Sequence, residues 1–242
     1  MAPILEVEAF YKSFGNKSIH EGTTFSLSKG ECLGLLGGSG TGKSVVLRAL
    51  IGLETPDSGS IKFKGDSLDD LSEEEWFEVR KQIAYVFQNG ALFDSLSVYE
   101  NLAFPLRRHT EFSEEEIQKR IRKILGELDL PHAENLFPAE LSGGMQKRVG
   151  LARSLMLEPE VVLFDEPTAG LDPKNTIVIQ DTILKLKKLG YTSVFVTHDM
   201  ASATRICDRI VLLQNKKIEI EASHDELKDK NHPIIKFMTG DN

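Results

Sequence analysis

The run "GLLGGSGTGKS", Gly34 to Ser44, constrains this 242-residue chain more than any other feature. It places Gly37, Gly42, Lys43 and Ser44 in the spacing GxxxxGK[ST], behind the apolar "CLGLL" and ahead of the helix-like "VVLRALIG". Strand, glycine-rich loop and helix in that order form the context in which this spacing cradles a polyphosphate. Glycines let backbone N–H groups turn inward, and the helix N-terminus adds positive potential. Lys43 would then reach the β- and γ-phosphates, and Ser44 would ligate Mg²⁺. An ordinary glycine-rich turn would need neither the strand before it nor the helix after it.

That chemistry also requires acids. In "VVLFDEP" an apolar strand ends at Asp165, whose carboxylate suits Mg²⁺ through its water shell. Glu166 follows and points the other way, where it would orient or deprotonate an attacking water. In "LSGGMQKR", Ser142, Gly143 and Gly144 precede a helical run with Met145, Val149, Ala152, Leu155 and Met156 on one side. A serine and bare backbone amides at a helix start make a second anion site. A plain N-cap explains the serine but not two glycines, which weaken a helix. Two half-sites for one polyphosphate imply a head-to-tail pair of chains, each closing the other's cradle.

Between these motifs the chain shows no repeat or linker. Short strand signals fill the first third: "LEVEAF", "TTFSLS", "CLGLLG" and "SIKFKG". The middle is helical. Ser72 with Glu75 and Ser113 with Glu116 are capping-box pairs, and Ile117, Ile121, Ile124, Leu125 and Leu128 share a helix face. The last third alternates: "VVLFD", a helix over residues 176–189 ended by Gly190, "SVFVTH", a short helix, then "RIVLL" and "KIEIEA". The expected fold is therefore α/β, a mixed, mostly parallel sheet core with an N-terminal antiparallel β region and an inserted helical subdomain. Within one domain of 242 residues, 1–87 and 157–223 would form the core, 88–156 the helical part and 224–242 a tail.

The net charge of −8 disfavours a general nucleic-acid surface. Cys32 and Cys207 lie far apart and form no CxxC pair, which argues for a reducing compartment and against zinc. The start "MAPILEVEAF" lacks a signal-peptide pattern, and no 18-residue apolar run is present. The expected location is cytoplasmic.

Together these motifs, in this order and over nearly the whole length, resemble the ATP-binding cassette (ABC) ATPase family. The resemblance covers the cradle Gly37, Gly38, Ser39, Gly40, Thr41, Gly42, Lys43, Ser44 and Val45, the Q-loop Gln88, and the signature Leu141 to Gly144. It continues through the acids Asp165 and Glu166, the D-loop Asp172 and the switch residue His198. It implies a P-loop NTPase fold, ATP and Mg²⁺, and a homodimer. Glu166, His198, Gln88 and Lys43 would be catalytic, with Ser44, Gln88 and Asp165 at the metal. Ser142, Gly143, Gly144 and Asp172 would bind the partner's nucleotide. Phe14 would stack on adenine, unless it belongs to the core. Two departures stand out: Met145 replaces the family's usual Gln, which comes one place later as Gln146, and after Ser44 the chain has Val45–Val46, where Thr is frequent. A second His-Asp pair, His224–Asp225, reads as an exposed helix start without a catalytic role.

The stretch "QNGALFDSLSVYENLAFPLRRHT", residues 88–110, fits no single period. It resembles the corresponding run in ATPases of the Mla-type phospholipid transporters, as do "LSGGM" and the tail "HPIIKFMTG". That resemblance implies an integral membrane permease docking near Gln88–Phe104, a mammalian-cell-entry (MCE) domain partner, a possible small regulatory subunit, and peripheral attachment to the cytoplasmic face of an inner membrane. The rivals are an importer of a small polar solute and a soluble ATPase with no permease. Arg107 and Arg108 are either permease-facing charges or a solvated rim. The tail reaches a neighbour or ends as an ordinary helix.

Overall fold

The computed structural model describes residues 2–88, 90–229 and 231–239; Asn89 of the post-glutamine stretch, and Lys230 and residues 240–242 of the tail, lie outside them. In chain order the strands are β1 (Leu5–Phe14), β2 (Lys17–Leu27), β3 (Cys32–Leu36), β4 (Ser58–Phe63), β5 (Asp66–Ser67), β6 (Ile83–Val86), β7 (Val161–Asp165), β8 (Thr192–Thr197), β9 (Arg209–Gln214) and β10 (Lys217–Ser223). The helices are α1 (Lys43–Ala49), α2 (Glu73–Gln82), α3 (Val98–His109), α4 (Glu114–Glu127), α5 (Gly143–Leu155), α6 (Pro173–Lys188), α7 (Met200–Ile206) and α8 (Pro233–Thr239).

The larger sheet has the order β10-β9-β3-β8-β7-β6. Its central pairs β9–β3, β3–β8, β8–β7 and β7–β6 are parallel, and only β10 runs antiparallel to β9. Both faces of β3 and β8 are buried, which is why "CLGLL" and "SVFVT" read as unbroken apolar runs. Alternation then divides their side chains between two cores. Leu33, Leu35, Leu163, Val194 and Val196 face a core shared with α1 and the small sheet. Leu36, Val162, Phe164 and Phe195 face the helices on the other side. The small sheet, β2-β1-β4-β5, is antiparallel and is tied to the large one where Glu21 N–H donates to Lys216 O at 2.8 Å.

This register positions the site. Leu36 pairs with Thr197, and Asp165 with Val196, so β3, β8 and β7 end together. Val86 pairs with Phe164, which brings the end of β6 to the same edge. Four sequence motifs thus leave four adjacent strands on one side of the sheet, where open α/β sheets bind ligands.

Helices α3, α4 and α5 lie between β6 and β7 in the chain. Ser113 caps α4 with Glu116 as its box partner, and Ile117, Ile121 and Leu125 are buried. The stretch at 88–110 is two things joined. A turn leads to Ser97, where a capping box with Glu100 starts α3, burying Val98, Leu102, Ala103 and Leu106. The irregular half and Pro105 inside the helix hide that period in a single pass. In the tail, Ile234 is buried against the chain's own helical core, as are parts of Ile235 and Phe237.

The cysteines also meet, despite lying 175 positions apart: their sulfurs are 3.9 Å from one another, in the core. Sequence distance alone concealed this pair.

Candidate functional site

The cradle is shaped by what cannot fit in it. A Cβ on Gly37 would lie 2.7 Å from Leu213 O, and one on Gly42 would lie 2.5 Å from Ile19 Cγ2. Gly42 also has φ 100°, a left-handed conformation that glycine adopts without steric cost, and it starts α1. Behind it, His20 Nε2–H donates to Gly42 O at 3.0 Å, and Nδ1 faces the Thr23 hydroxyl at 2.8 Å. Burial pushes the His20 pKa down, so the ring stays neutral. Its role as a brace for the loop was invisible in the sequence, where it is one more residue of an antiparallel strand.

Lys43 is buried, and its ammonium donates to Gly37 O and Gly38 O, both at 2.9 Å. Thr41 Oγ1 donates to Gly38 O at 3.0 Å, while Ser39 and Gly40 form the exposed tip. Val45 N–H is committed to Gly42 O at 2.9 Å as part of the first helical turn.

At the end of β7 the two acids separate. Asp165 Oδ1 accepts the Ser44 hydroxyl at 2.8 Å, and Oδ2 accepts the Tyr85 hydroxyl at 2.6 Å. Burial and the neighbouring carboxylate push the Tyr85 phenol well up, keeping it a donor. Glu166 has φ 49°, an uncommon conformation for a non-glycine residue, and its N–H donates to Val196 O at 3.0 Å. The turn aims its carboxylate back over the cradle. Oε1 lies 3.6 Å from Lys43 Nζ, and Oε2 lies 2.9 Å from Nδ1 of the exposed His198. Lys43, Glu166 and His198 therefore converge, although 123 and 155 positions separate Lys43 from the other two. His224 and Asp225, by contrast, are exposed beside a short 3₁₀ turn in the tail.

Phe14 ends β1 with 46% of its surface exposed, which removes the core explanation for it. It belongs to the same hairpin as Ile19 and His20, which touch Gly42. Gln88 is exposed in the turn after β6.

Ser142 caps α5, accepting Met145 N–H at 3.3 Å, and Gly143 is exposed. Gly144 is glycine for a steric reason: a Cβ there would lie 2.4 Å from Asn175 Oδ1. Asn175 in turn is bound by Asp172, the cap of α6, through its N–H at 2.9 Å. Asn175 thus lies between the signature and Asp172. Among the described residues, no hydrogen bond or ion pair joins them to this chain's own cradle. Gln146 does not replace the missing fifth-position glutamine, because its amide donates to Pro138 O at 2.8 Å within the chain.

Helix α5 is also pressed onto the post-glutamine turn. A Cβ on Gly150 would lie 2.5 Å from Gly90 Cα and 2.6 Å from Gly90 O. Both neighbours are backbone and cannot swing aside. Gly150→Ala is therefore expected to lower stability by about 1–3 kcal/mol, read as an earlier urea midpoint at unchanged slope; an unchanged midpoint would show that the two backbones can part freely. Arg153 reinforces the contact, donating to Ala91 O at 2.8 Å.

Comparison with known proteins agrees with this geometry. The sequence profile of the ABC transporter family matches residues 20–169. The probable ribonucleotide transport ATP-binding protein mkl of Mycobacterium leprae is 40% identical, over 99% of this chain and 70% of its own length. The intermembrane phospholipid transport system ATP-binding protein MlaF of Escherichia coli is 36% identical, over 93% of this chain and 85% of its own. Among solved structures, a dimeric ATP-binding cassette in a post-hydrolysis state with ADP and Pi superposes with a TM-score of 0.83 at 31% identity, covering 91% of this chain and 98% of that one. The chain belongs to the ABC transporter family, as the ATP-binding, ATP-hydrolysing subunit of a transporter.

Proposed function

We propose that this subunit powers the movement of phospholipid, or a similarly hydrophobic molecule, through a separate membrane permease. The observation that carries this reading is the stretch after Gln88, whose likeness to Mla-type ATPases is matched by the similarity to MlaF over most of the chain. There Phe93 and Phe104 are both exposed, with ring centroids 5.2 Å apart.

In this reading Gly37 to Val45 hold the polyphosphate, Phe14 stacks on adenine, and Lys43 binds the β- and γ-phosphates. Glu166 positions or deprotonates the attacking water, with His198 and Gln88 near the γ-phosphate. Ser142, Gly143, Gly144 and Asp172 of a second copy complete the site, which fits the finding that, among the described residues, no hydrogen bond or ion pair joins them to their own cradle. Residues 88–156 move as the helical part and 224–242 form the tail. ATP closes the homodimer, hydrolysis opens it, and the surface from Gln88 to Phe104 passes the motion to the permease.

The residues present also fit a divalent cation. Ser44 and Asp165 offer hard oxygen donors, and no group of three or more His, Cys, Asp or Glu able to hold a metal occurs among the described residues. That set suits Mg²⁺, which binds through one or two protein oxygens together with substrate phosphates, and in this reading Gln88, exposed two residues past the end of β6, would join it. When bound there, such an ion would neutralise phosphate charge.

No described helix is long and apolar enough to cross a membrane, so attachment to the cytoplasmic face of an inner membrane would run through the permease. An MCE-domain protein and a small regulatory subunit are the further partners proposed. Arg107 is a poor candidate for reaching any of them, because both its Nε and Nη2 are bound to Glu114 at 2.7 and 2.6 Å.

The name of mkl favours a second reading, transport of a ribonucleotide-like solute. Purification of the intact transporter followed by mass spectrometry of bound small molecules separates the two. Phospholipid is expected; ribonucleotide without lipid would overturn the proposal. In the same preparation, Phe93→Asp should reduce permease recovery about tenfold while ATP binding stays within twofold. Phe93 is a cleaner probe than Leu92, which packs on the chain's own core. Equal loss of both functions would mean that the surface is structural.

A further inference from the structure

A half-buried donor beside the acid strand has no role in the mechanism above. Tyr85 sits on β6, opposite Leu163 of β7, and its hydroxyl donates to Asp165 Oδ2 at 2.6 Å. The other oxygen of that carboxylate takes the Ser44 hydroxyl at 2.8 Å. A tyrosine hydroxyl drawn largely out of water favours some acceptor, and that preference alone explains a hydrogen bond. It does not explain this acceptor. The two carboxylate oxygens are each held by one hydroxyl, from α1 on one side and from β6 on the other. Together the two bonds fix the rotation of the carboxylate about its terminal bond, which is otherwise broad.

Tyr85 is also connected in the other direction. Its ring packs on Phe87 with centroids 4.6 Å apart, one residue before Gln88. Its carbonyl accepts the Ser154 hydroxyl of α5 at 3.4 Å. The same residue thus touches the acid, the turn leading to Gln88 and the signature helix.

We propose that Tyr85 is a positioning residue for Asp165: it holds Oδ2 so that Oδ1, beside Ser44, is the oxygen presented to a divalent cation, and it ties that presentation to the strand leading into Gln88. This inference rests on reading Ser44 and Asp165 as cation-holding residues. Mg²⁺ tolerates little departure from octahedral geometry, so a carboxylate free to rotate binds it less well. Removing the partner that orients a metal ligand typically costs about 10–100-fold in metal affinity. A second, unheld oxygen does not restore the lost orientation.

Tyr85→Phe in the full-length protein tests this, because it deletes the hydroxyl and keeps the ring against Phe87. Two quantities are measured: binding of a non-hydrolysable ATP analogue without divalent cation, and Mn²⁺ titration of the analogue-loaded protein followed by electron paramagnetic resonance. The expected result is a roughly tenfold higher Mn²⁺ concentration for half-saturation, with cation-free nucleotide binding unchanged. An unmoved or tighter Mn²⁺ titration would overturn the proposal. So would an equal loss of cation-free binding, since that marks a packing role only. Asp165→Asn is measured in parallel. If it weakens Mn²⁺ binding while Tyr85→Phe does not, only the tyrosine inference falls. If Asp165→Asn leaves the titration unmoved, the reading of the metal site itself falls, and this inference with it.

Discussion

Glu166→Gln is expected to lower ATP turnover by about 10²–10⁴-fold, the usual contribution of a positioned general base, while ATP binding persists. The substitution is nearly isosteric, so the turn at φ 49° and the N–H bond to Val196 O can remain. What disappears is the negative charge between Lys43 Nζ at 3.6 Å and His198 Nδ1 at 2.9 Å, and with it the oxygen able to accept a proton. If two copies share each nucleotide, ATP bound without hydrolysis should hold them closed. The variant with ATP should therefore run as a dimer by light scattering and return to monomer when ATP is removed. An ATP-loaded variant that stays monomeric would sink the shared-site reading, and wild-type phosphate release would sink the role given to Glu166.

Lys43→Ala has the other large expected effect. The ammonium is buried and points into the loop that it would share with the phosphates, where its charge is poorly screened. Its present partners, Gly37 O and Gly38 O at 2.9 Å, are backbone groups of the cradle itself. Phosphate oxygens compete well for the same donors because a charge-assisted bond is about twice as strong as a neutral one. Loss of a single preorganised donor to developing charge costs about 10²–10³-fold in turnover, and ATP affinity should fall as well. Phosphate release at saturating ATP and Mg²⁺ is the measurement. Turnover at the wild-type rate would remove the cradle from the mechanism altogether. Lys43→Arg should rescue little, since a planar five-donor group does not fit where a compact ammonium meets two carbonyls.

The two variants fail differently, which makes them informative together. Glu166→Gln should retain nucleotide and dimerise; Lys43→Ala should do neither. A Glu166→Gln protein that fails even to retain nucleotide would be checked for a folding defect by its urea midpoint.

Much of this is legible in the amino-acid sequence. The phosphate loop, the acid strand and the signature are local patterns, each carried by neighbours a few residues apart. The capping boxes at Ser72 and Ser113 are legible for the same reason, since the bonds span three residues. The third box, Ser97 with Glu100, carries the same pattern but sits inside a stretch whose irregular first half obscured the helix after it.

The sequence by itself therefore determined the nucleotide chemistry, the α/β class and the family, because short-range spacing and strand-length apolar runs encode them. Only the tertiary structure decided what meets what. The parallel register brings Lys43, Glu166 and His198 to one edge. It sets Tyr85 on Asp165, His20 behind Gly42, and Gly150 on Gly90. It turns Gln146 inward and brings Cys32 and Cys207 to 3.9 Å. Apart from the Gln146 bond, which spans eight residues, these contacts join segments distant in sequence that packing of the two sheets and the helices brings together, and no local pattern in the chain records them.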